Sequence, residues 1–261
     1  MPISPTTTEV VRMMERLESF INDLRIIPET GLYQSKVLLA LLSKSFTTSR
    51  AVCALVDAGY PAEAFGLSRT LIEVFLTVRY ITNDANRSEA LATLYVEYIA
   101  KTQEQLVRSA DKFFADTPLD LQRREEMEEM AKNYRNPHSW TNVRGAIKLM
   151  AMEKDAYEVD AAGEPITHEF DYEFIYPQAS YYVHATIHSL ASHLAENGEP
   201  FVIRTDRIRD VRVNQAVFDA LAFPAKTVVC AFRGLQKEPP QEILDEMHQI
   251  MAASARSKDP A

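Results

Sequence analysis

The sequence predicts an all-α protein, a multi-helix bundle, on three observations. Glycine is scarce, with 7 residues in 261, so few positions can adopt a left-handed backbone without strain. Apolar residues recur at spacings of three and four along most of the chain, which is the period of a helix that buries one face. Capping residues, glycines and prolines stand at the ends of these periodic segments.

The N-terminal part of the chain contains three predicted long helices. The first follows a capping threonine, runs through EVVRMMERLESFINDL and ends before Pro28. The second extends over about residues 32–58 and ends at Gly59, since glycine is the usual residue just after a helix. The third extends over about residues 61–83, with Pro61 in its first turn, and is apolar around most of its circumference. A helix of that kind is expected at the centre of a bundle.

The middle of the chain contains two further long helices by the same criteria. The segment NRSEALATLYVEYIAKTQEQLVRSADKFF has the pattern of a fourth helix, and PLDLQRREEMEEMAKNYR has that of a charged, exposed fifth helix. A short helix is expected after Trp140, the only tryptophan. Turn residues flanked by β-prone ones then predict a loop or a small hairpin inserted near residues 155–171.

The C-terminal part returns to a helical pattern. One helix is predicted to begin near Pro177 and to end at Gly198, and two more are expected at about residues 213–234 and 240–256. No internal repeat, low-complexity tract or flexible linker divides the chain.

The expected domain organisation follows from this continuity. We expect a single α-helical domain over residues 1–258 that includes the C-terminal helices at about 213–256. A frayed tail at 259–261 is expected to follow.

Composition narrows the expected partners and location. A formal charge of −9 and a pI near 5.3 oppose a broad grip on nucleic acid or anionic lipid, because both depend on Lys and Arg. The longest apolar run, VLLALL, is far shorter than the about 20 residues that a membrane span needs. Cys53 and Cys230 lie in apolar runs and are expected to be small buried hydrophobes in a reducing compartment. We expect a soluble cytoplasmic protein without membrane contact.

A stripe of polar and small residues runs along the third predicted helix. Gly66, Arg69, Glu73, Thr77 and Tyr80 follow one another at spacings of three and four, whereas apolar residues cover the rest of the helix. This stripe faces either the solvent or a groove inside the bundle. In a groove, Arg69 and Glu73 would need named partners, because a buried charge is tolerated only when it is paired.

A second polar face lies on the helix after Pro177. Ser180, His184 and His188 step by four along it, and two histidines at that spacing can chelate a divalent ion. The glutamate of the zinc-protease motif is missing between them, and such a histidine pair often occurs without any metal. We therefore expect no metal and no cofactor, and no stoichiometric zinc or iron after purification without added metal.

Enzyme signatures of high specificity are missing from the sequence. There is no glycine-rich phosphate loop and no GxSxG elbow, and neither cysteine has a histidine nearby in sequence. The segment RTDRIRDVR could contact an RNA backbone, but its interleaved acids favour internal pairing. Whether the protein is an enzyme stays open at this point.

Part of the chain resembles a known family. The run FTTSRAVCALVDAGYPAEAFGLSRTLIEVFLTVRYI, a later Trp and then YYVHATIH are similar to the bacterial domain-of-unknown-function family 5677. Its Arg-[Ser/Thr]-Leu-x-Glu pattern falls on Arg69, Thr70, Leu71 and Glu73. Its Ser-x-x-x-His pattern falls on Ser180 and His184, and the family-like core covers roughly residues 40–195. The resemblance implies a helical fold and no particular activity.

The layout is also similar, at a greater distance, to the HEPN superfamily of helical bundles. That superfamily includes ribonucleases of toxin and phage-defence systems, which carry an Arg followed by four to six residues and a His on one helix. No Arg of this chain precedes a His at that spacing, and the nearest approach is Arg135-Asn-Pro-His138. This departure argues against nuclease activity.

The sequence favours a binding or interaction module with a polar pocket lined by Arg69, Glu73, Ser180 and His184. Its partner would be a small ligand or a protein, nucleic acid is disfavoured, and a homodimer is compatible with the sequence. The alternative is a HEPN-like ribonuclease or other hydrolase in which His184 is the general acid or base and Arg69 binds phosphate. The catalytic candidates in that case are His184 and Glu73.

Overall fold

The computed structural model describes residues 5–27, 32–98, 101, 129, 132, 140–141, 145–155, 158, 163–183 and 213–256. Helices dominate these residues, which contain no β-strand, and this confirms the all-α prediction. Most of the fourth predicted helix beyond 98, the fifth helix and the segment 184–212 lie outside the described residues.

The first helix begins and the second helix ends at the capping residues that the sequence predicts. Helix α1, Thr7–Asp23, starts with a capping box in which the Glu9 N–H donates to the Thr6 hydroxyl at 3.2 Å. The Thr6 N–H in turn donates to the Glu9 carboxylate at 2.8 Å. Helix α2, Gln34–Ala58, ends at Gly59, whose φ of 86° is the left-handed conformation that glycine adopts without strain.

Helix α3, Pro61–Thr82, lies at the centre of the described bundle, as its apolar circumference predicts. It packs against α2 on one side and against the C-terminal helix α7, Val213–Gly234, on another. Helix α7 also contacts α2, and its end approaches both helices closely. A Cβ atom at Gly234 would lie 2.5 Å from the Thr82 side chain and 2.8 Å from that of Leu38, so only glycine fits there.

The remaining described helices surround this centre. Residues 88–98 are helical and form α4, with Leu91 and Ala92 in the core. Helix α5 is Ala146–Met152, helix α6 is Tyr176–Val183 and helix α8 is Gln241–Arg256. Helix α6 packs on α3, and α8 packs on α7 and α1.

The inserted segment near 155–171 folds back on itself without forming a strand among its described residues. The Asp155 N–H donates to the carbonyl oxygen of Ile166 at 2.7 Å, and the Ile166 N–H donates to that of Glu158 at 3.0 Å. The His168 N–H donates to the carbonyl oxygen of Ala151 at 2.8 Å, which fixes the return of the segment against the end of α5.

The helix after this segment begins earlier than predicted. We expected a start near Pro177, but the backbone is helical from residue 169 and passes through a π-helical turn, Asp171–Ile175. The Tyr176 N–H donates to the carbonyl of Asp171, five residues back. This wider turn leads into Pro177, which has no N–H to continue the α-helical pattern, so the proline lies inside the helix instead of opening it.

Both cysteines lie where the sequence places them. Cys53 and Cys230 are free and buried, at 1% and 3% exposure. Burial raises the pKa of each thiol to about 12, so both stay protonated and unreactive near neutral pH.

Two described helices, α2 and α7, have the length and composition of membrane spans. However, 56% and 78% of their most apolar windows are buried inside the bundle. Core helices of globular proteins satisfy the same criterion, so these two helices are weak evidence for a membrane location. The cytoplasmic location stays a prediction.

Candidate functional site

Two residues of the polar stripe of α3, Arg69 and Glu73, contact α6 while staying partly exposed to solvent. The Arg69 Nε donates to Glu73 Oε1 at 3.1 Å, and the Tyr176 hydroxyl donates to the same oxygen at 2.7 Å. The Arg69 guanidinium also lies 5.0 Å from the centre of the Tyr176 ring. The side chains of Arg69 and Glu73 remain 27% and 45% exposed, so the pair lies at a half-buried helix contact.

Ser180 lies one turn after Tyr176 on α6. Its hydroxyl donates to the backbone carbonyl of Tyr176 at 2.7 Å, a bond within its own helix. Burial and the contact with Glu73 raise the pKa of Tyr176 to about 12, so this hydroxyl keeps its proton near neutral pH. His184 lies outside the described residues. The predicted four-residue pocket therefore stays a prediction.

Glu73 also lines a cavity of about 420 Å³ with aromatic walls. Trp140 meets the ring of Tyr95 edge-on at 5.1 Å, and Tyr172 stacks on Tyr176 at the same distance. Arg69 and Ser180 are not among the described residues that line this cavity.

A larger cavity of about 650 Å³ lies between α3, α7, α8 and the segment that precedes α6. Its polar side chains come mainly from that segment and from α7. Its apolar walls are Phe75, Ile175, Phe218, Phe223, Val229 and Met251.

His168 connects the charged groups at one end of this larger cavity. Its ring is 1% exposed, with Nδ1 lying 3.2 Å from Asp171 Oδ2. On the other side, Nε2 lies 3.4 Å from Glu158 Oε2 and 3.7 Å from Asp155 Oδ2. The Lys226 ammonium lies 3.5 Å from both Glu158 Oε1 and Asp171 Oδ2, so α7 closes the cluster.

The electrostatics of Asp171 follow from these neighbours. Burial by itself would raise the pKa of this carboxyl group, but the contacts with His168 and Lys226 outweigh burial and lower it. Asp171 is therefore an anion near neutral pH.

Arg79 holds the inserted segment from the side of α3. The side chain is 1% exposed, and it donates to the carbonyl oxygens of Met150 at 2.6 Å and Glu153 at 2.8 Å. Both carbonyls belong to the C-terminal end of α5, where no helical N–H reaches them. The Arg79 Nε also lies 3.3 Å from Asp155 Oδ2, so this arginine fixes the first carboxylate of the cluster.

Asp219 is a second buried acid on the cavity wall, contributed by α7. It is 1% exposed, and its Oδ1 accepts a hydrogen bond from the Gln215 amide at 2.7 Å. The Ser68 hydroxyl is close enough to lower the pKa of this carboxyl group, but its geometry does not make a hydrogen bond, and Oδ2 has no other hydrogen-bond partner among the described residues. Burial raises the pKa of Asp219 to about 7, although Ser68, Gln215 and Lys226 oppose the shift.

Comparison with known proteins places the chain in a family. A protein-family model described as a family of unknown function, family 5677, matches residues 35–201. The chain belongs to this family. No curated protein and no solved structure matches the chain. The likeness to the HEPN superfamily stays a prediction.

The larger cavity of this family member combines matched and unmatched parts of the chain. Asp155, Glu158 and Asp171 lie inside the segment that the family model matches. Asp219 and Lys226 lie on α7, beyond the end of that match. Helix α7 therefore completes a cavity whose other acids lie in the matched segment.

None of the charged groups of this cavity was predicted from the sequence, although two spacings in the sequence indicate them. Asp219 and Lys226 are seven residues apart in an otherwise apolar helix, which places them on one face. His168 and Asp171 are three apart in HEFD, a spacing that puts both on one side of a helical turn. Neither spacing shows which other helix these side chains face, so the sequence does not predict that they form one site.

Proposed function

We propose that this member of family 5677 is a small-molecule-binding module whose ligand occupies the larger cavity. The observation that carries the proposal is Asp219, a buried acid whose Oδ2 lacks a hydrogen-bond partner of good geometry among the described residues and which lines a cavity of about 650 Å³. An unsatisfied buried polar atom costs folding free energy, and a ligand donor that reached it would recover that cost. Large apolar cavities with a few convergent polar groups and shifted pKa values are typical ligand sites.

The chemistry of the cavity favours an amphipathic ligand with an ammonium group. Phenylalanine and aliphatic side chains form the walls and suit an aromatic or alkyl body. Four carboxyl groups line the cavity against two basic side chains, Lys226 and Arg233. Lys226 is already bound to Glu158 and Asp171, so Asp219 is the acid best able to take a proton donor from a ligand.

This proposal keeps the binding function predicted from the sequence and moves the site. The predicted pocket at Arg69, Glu73, Ser180 and His184 remains the alternative location, with Glu73 at the edge of the smaller cavity. We also propose a cytoplasmic protein that binds a small ligand in preference to nucleic acid or membrane.

Dansylcadaverine, a fluorophore that carries a primary ammonium group, tests the proposal. We expect saturable binding with a blue-shifted emission, and a dissociation constant that falls between about pH 6 and pH 8. The reason is that Asp219, with a pKa of about 7, ionises over this range while the ammonium group stays charged. Asp219→Asn should weaken binding at pH 8 by about tenfold and remove most of the pH dependence.

The controls separate the two cavities and the contributing groups. Because His248 lies at the cavity rim, the pH profile is compared directly between wild type and Asp219→Asn. Dansyl amide, which has no ammonium group, should bind without a pH dependence, and Asp245→Asn on the exposed face of α8 should bind like wild type. Loss of binding in Glu73→Gln with retention in Asp219→Asn would place the ligand in the smaller cavity and contradict the proposal.

The ribonuclease or hydrolase alternative is tested separately. Purified protein incubated with mixed RNA and simple phosphoesters is expected to show no turnover that depends on His184. The matched variant is His184→Ala, which removes the only catalytic histidine that the sequence proposed. Robust activity lost in this variant would establish the enzyme and overturn the binding module.

A further inference from the structure

Three metal-ligating atoms converge where the inserted segment meets the larger cavity. They are one carboxylate oxygen each from Asp155 and Glu158 and a ring nitrogen of His168, and all lie within 4.8 Å of one another. We propose that these three residues bind a divalent transition-metal ion, with Zn²⁺ or Mn²⁺ as the candidates. The site is distinct from the His184/His188 pair considered from the sequence.

The two ring nitrogens of His168 differ in their hydrogen bonding. Its Nδ1 lies 3.2 Å from Asp171 Oδ2 and 3.3 Å from the Lys226 ammonium, and in the tautomer that the proposal requires Nδ1 donates its proton to the carboxylate. In the neutral ring, Nε2 then carries a lone pair. That nitrogen is buried, has no hydrogen-bond partner among the described residues, and points at two further acceptor oxygens. In this tautomer three acceptors face one another, with Arg79 beside Asp155 and Lys226 beside Glu158, and a cation between the three would offset their repulsion.

The distances around His168 Nε2 are compatible with a bound metal ion and long for a direct hydrogen bond. The separations of 3.4 Å and 3.7 Å between His168 Nε2 and the two oxygens exceed the ~2.7–3.2 Å of an ordinary N–H···O hydrogen bond. Ligand atoms about 2.1 Å from a common tetrahedral ion lie about 3.4 Å apart. The Glu158 side chain is 36% exposed, so it is free to adjust its position toward an ion.

The surrounding residues hold the three ligands as metal sites usually require. Asp171 accepts from the far side of the His168 ring, which is the arrangement that orients a metal-bound histidine. Arg79 fixes Asp155, and Lys226 binds the other oxygen of Glu158. The backbone of His168 is also held, because its N–H donates to the carbonyl of Ala151 at 2.8 Å.

The donor set indicates the class of ion. One imidazole nitrogen with two carboxylates suits Zn²⁺, Mn²⁺ or Fe²⁺, whereas Mg²⁺ and Ca²⁺ prefer oxygen ligands alone. Asp155 and Glu158 also line the cavity, so the remaining coordination positions would face it. Three protein ligands with an open position are typical of ions that bind water or a ligand. This inference does not depend on which organic molecule the cavity holds.

Metal binding by the full-length chain tests the inference. Protein freed of metal with a chelator and dialysed is titrated with Zn²⁺ and Mn²⁺ against a chromophoric chelator, and with Mg²⁺ for comparison. We expect one Zn²⁺ or Mn²⁺ per chain and no comparable binding of Mg²⁺. His168→Asn keeps an amide N–H for Asp171 but removes Nε2, and should weaken binding by about 100-fold. Glu158→Gln should weaken it by about tenfold or more, and Asp171→Asn by about tenfold.

Two control variants identify where the ion binds. His188→Asn breaks the histidine pair at i and i+4, and Asp245→Asn removes an exposed carboxylate of α8, so both should bind metal like wild type. Circular dichroism checks that each variant is helical, and Glu158→Gln at the partly exposed ligand decides the matter if His168→Asn does not fold.

Three results would overturn the inference. The first is a dissociation constant weaker than about 100 µM for every ion tested with the wild-type protein. The second is an equal dissociation constant for wild type and Glu158→Gln. The third is a ¹⁵N NMR signal of a doubly protonated His168 ring that Zn²⁺ does not change, because a proton would then fill the gap. Dansylcadaverine binding is measured with chelator present, so failure of the metal site and failure of the ligand site give different results.

Discussion

Replacing Asp219 by asparagine is expected to stabilise the protein by about 3 kcal/mol at pH 8, measured as the free energy of unfolding in urea. Asp219 is 1% exposed, and burial raises its pKa to about 7. Ionising it in the folded protein therefore costs free energy that an amide of the same shape does not require. The oxygen of the introduced amide can still accept from Gln215, and its N–H can reach the Ser68 hydroxyl.

The direction of the stability change with pH follows from the pKa of Asp219 in the folded and unfolded states. The folded-state pKa of about 7 lies above the unfolded value of about 3.9, so between these values the folded state binds more protons than the unfolded state. The contribution of Asp219 to stability consequently falls as pH rises through this window and is fully unfavourable above about pH 7. The advantage of Asp219→Asn should be large at pH 8 and near zero at pH 4.

A comparison with an exposed acid controls this measurement. Asp245→Asn, on the exposed face of α8, should change the unfolding free energy by less than about 0.5 kcal/mol at either pH. An unchanged or reduced stability of Asp219→Asn at pH 8 would mean that the carboxylate is satisfied in solution. We expect Asp219→Asn to be more stable and to bind dansylcadaverine more weakly, because residues that form binding sites often lower the stability of the folded protein.

Replacing Arg79 by methionine is expected to destabilise the protein by about 3–5 kcal/mol, the range for removing one partner of a buried ion pair. Arg79 is among the largest fully buried side chains, and its loss would remove the donors that it provides to Asp155 and to the carbonyls of Met150 and Glu153. Methionine fills much of the same volume, so the loss reports the polar contacts more than a cavity.

Arg69→Met is the matched control, because it removes an arginine from the same helix. The side chain of Arg69 is 27% exposed and pairs with a Glu73 that is 45% exposed, so the expected loss is about 1 kcal/mol or less. Urea unfolding with unchanged slopes would measure both variants on the same scale. Equal losses in the two variants would show that burial does not distinguish these arginines.

The two arginines also show where sequence reasoning stopped on α3. The stripe through Arg69 and Glu73 was visible because its members repeat at helical spacing, and it does meet α6 through Tyr176. Arg79 lies off this stripe among apolar residues, and nothing in its neighbours shows that it is buried. Its partners are more than seventy residues away, so only packing identifies them.

The start of the helix that continues into α6 shows that the sequence also failed to predict one feature of the backbone. Proline usually opens a helix, and the sequence therefore indicated a start near Pro177. In the folded chain His168 is anchored to α5, and the helix begins at residue 169 and contains a π-helical turn, Asp171–Ile175, just before the proline. A contact between distant segments thus overrode the local signal.

The sequence by itself determined the helices and many of their ends. Capping by Thr6 and Glu9, the left-handed turn at Gly59 and the periodic apolar faces all depend on residues a few positions apart, so a linear pattern contains them. Only the tertiary structure decided the larger cavity. Its acids and bases come from the segment before α6 and from α7, and their burial, pKa values and pairing depend on which helix faces reach each other. Desolvation and Coulomb interactions act through space, and helical spacing alone does not fix the distance between residues 158 and 226.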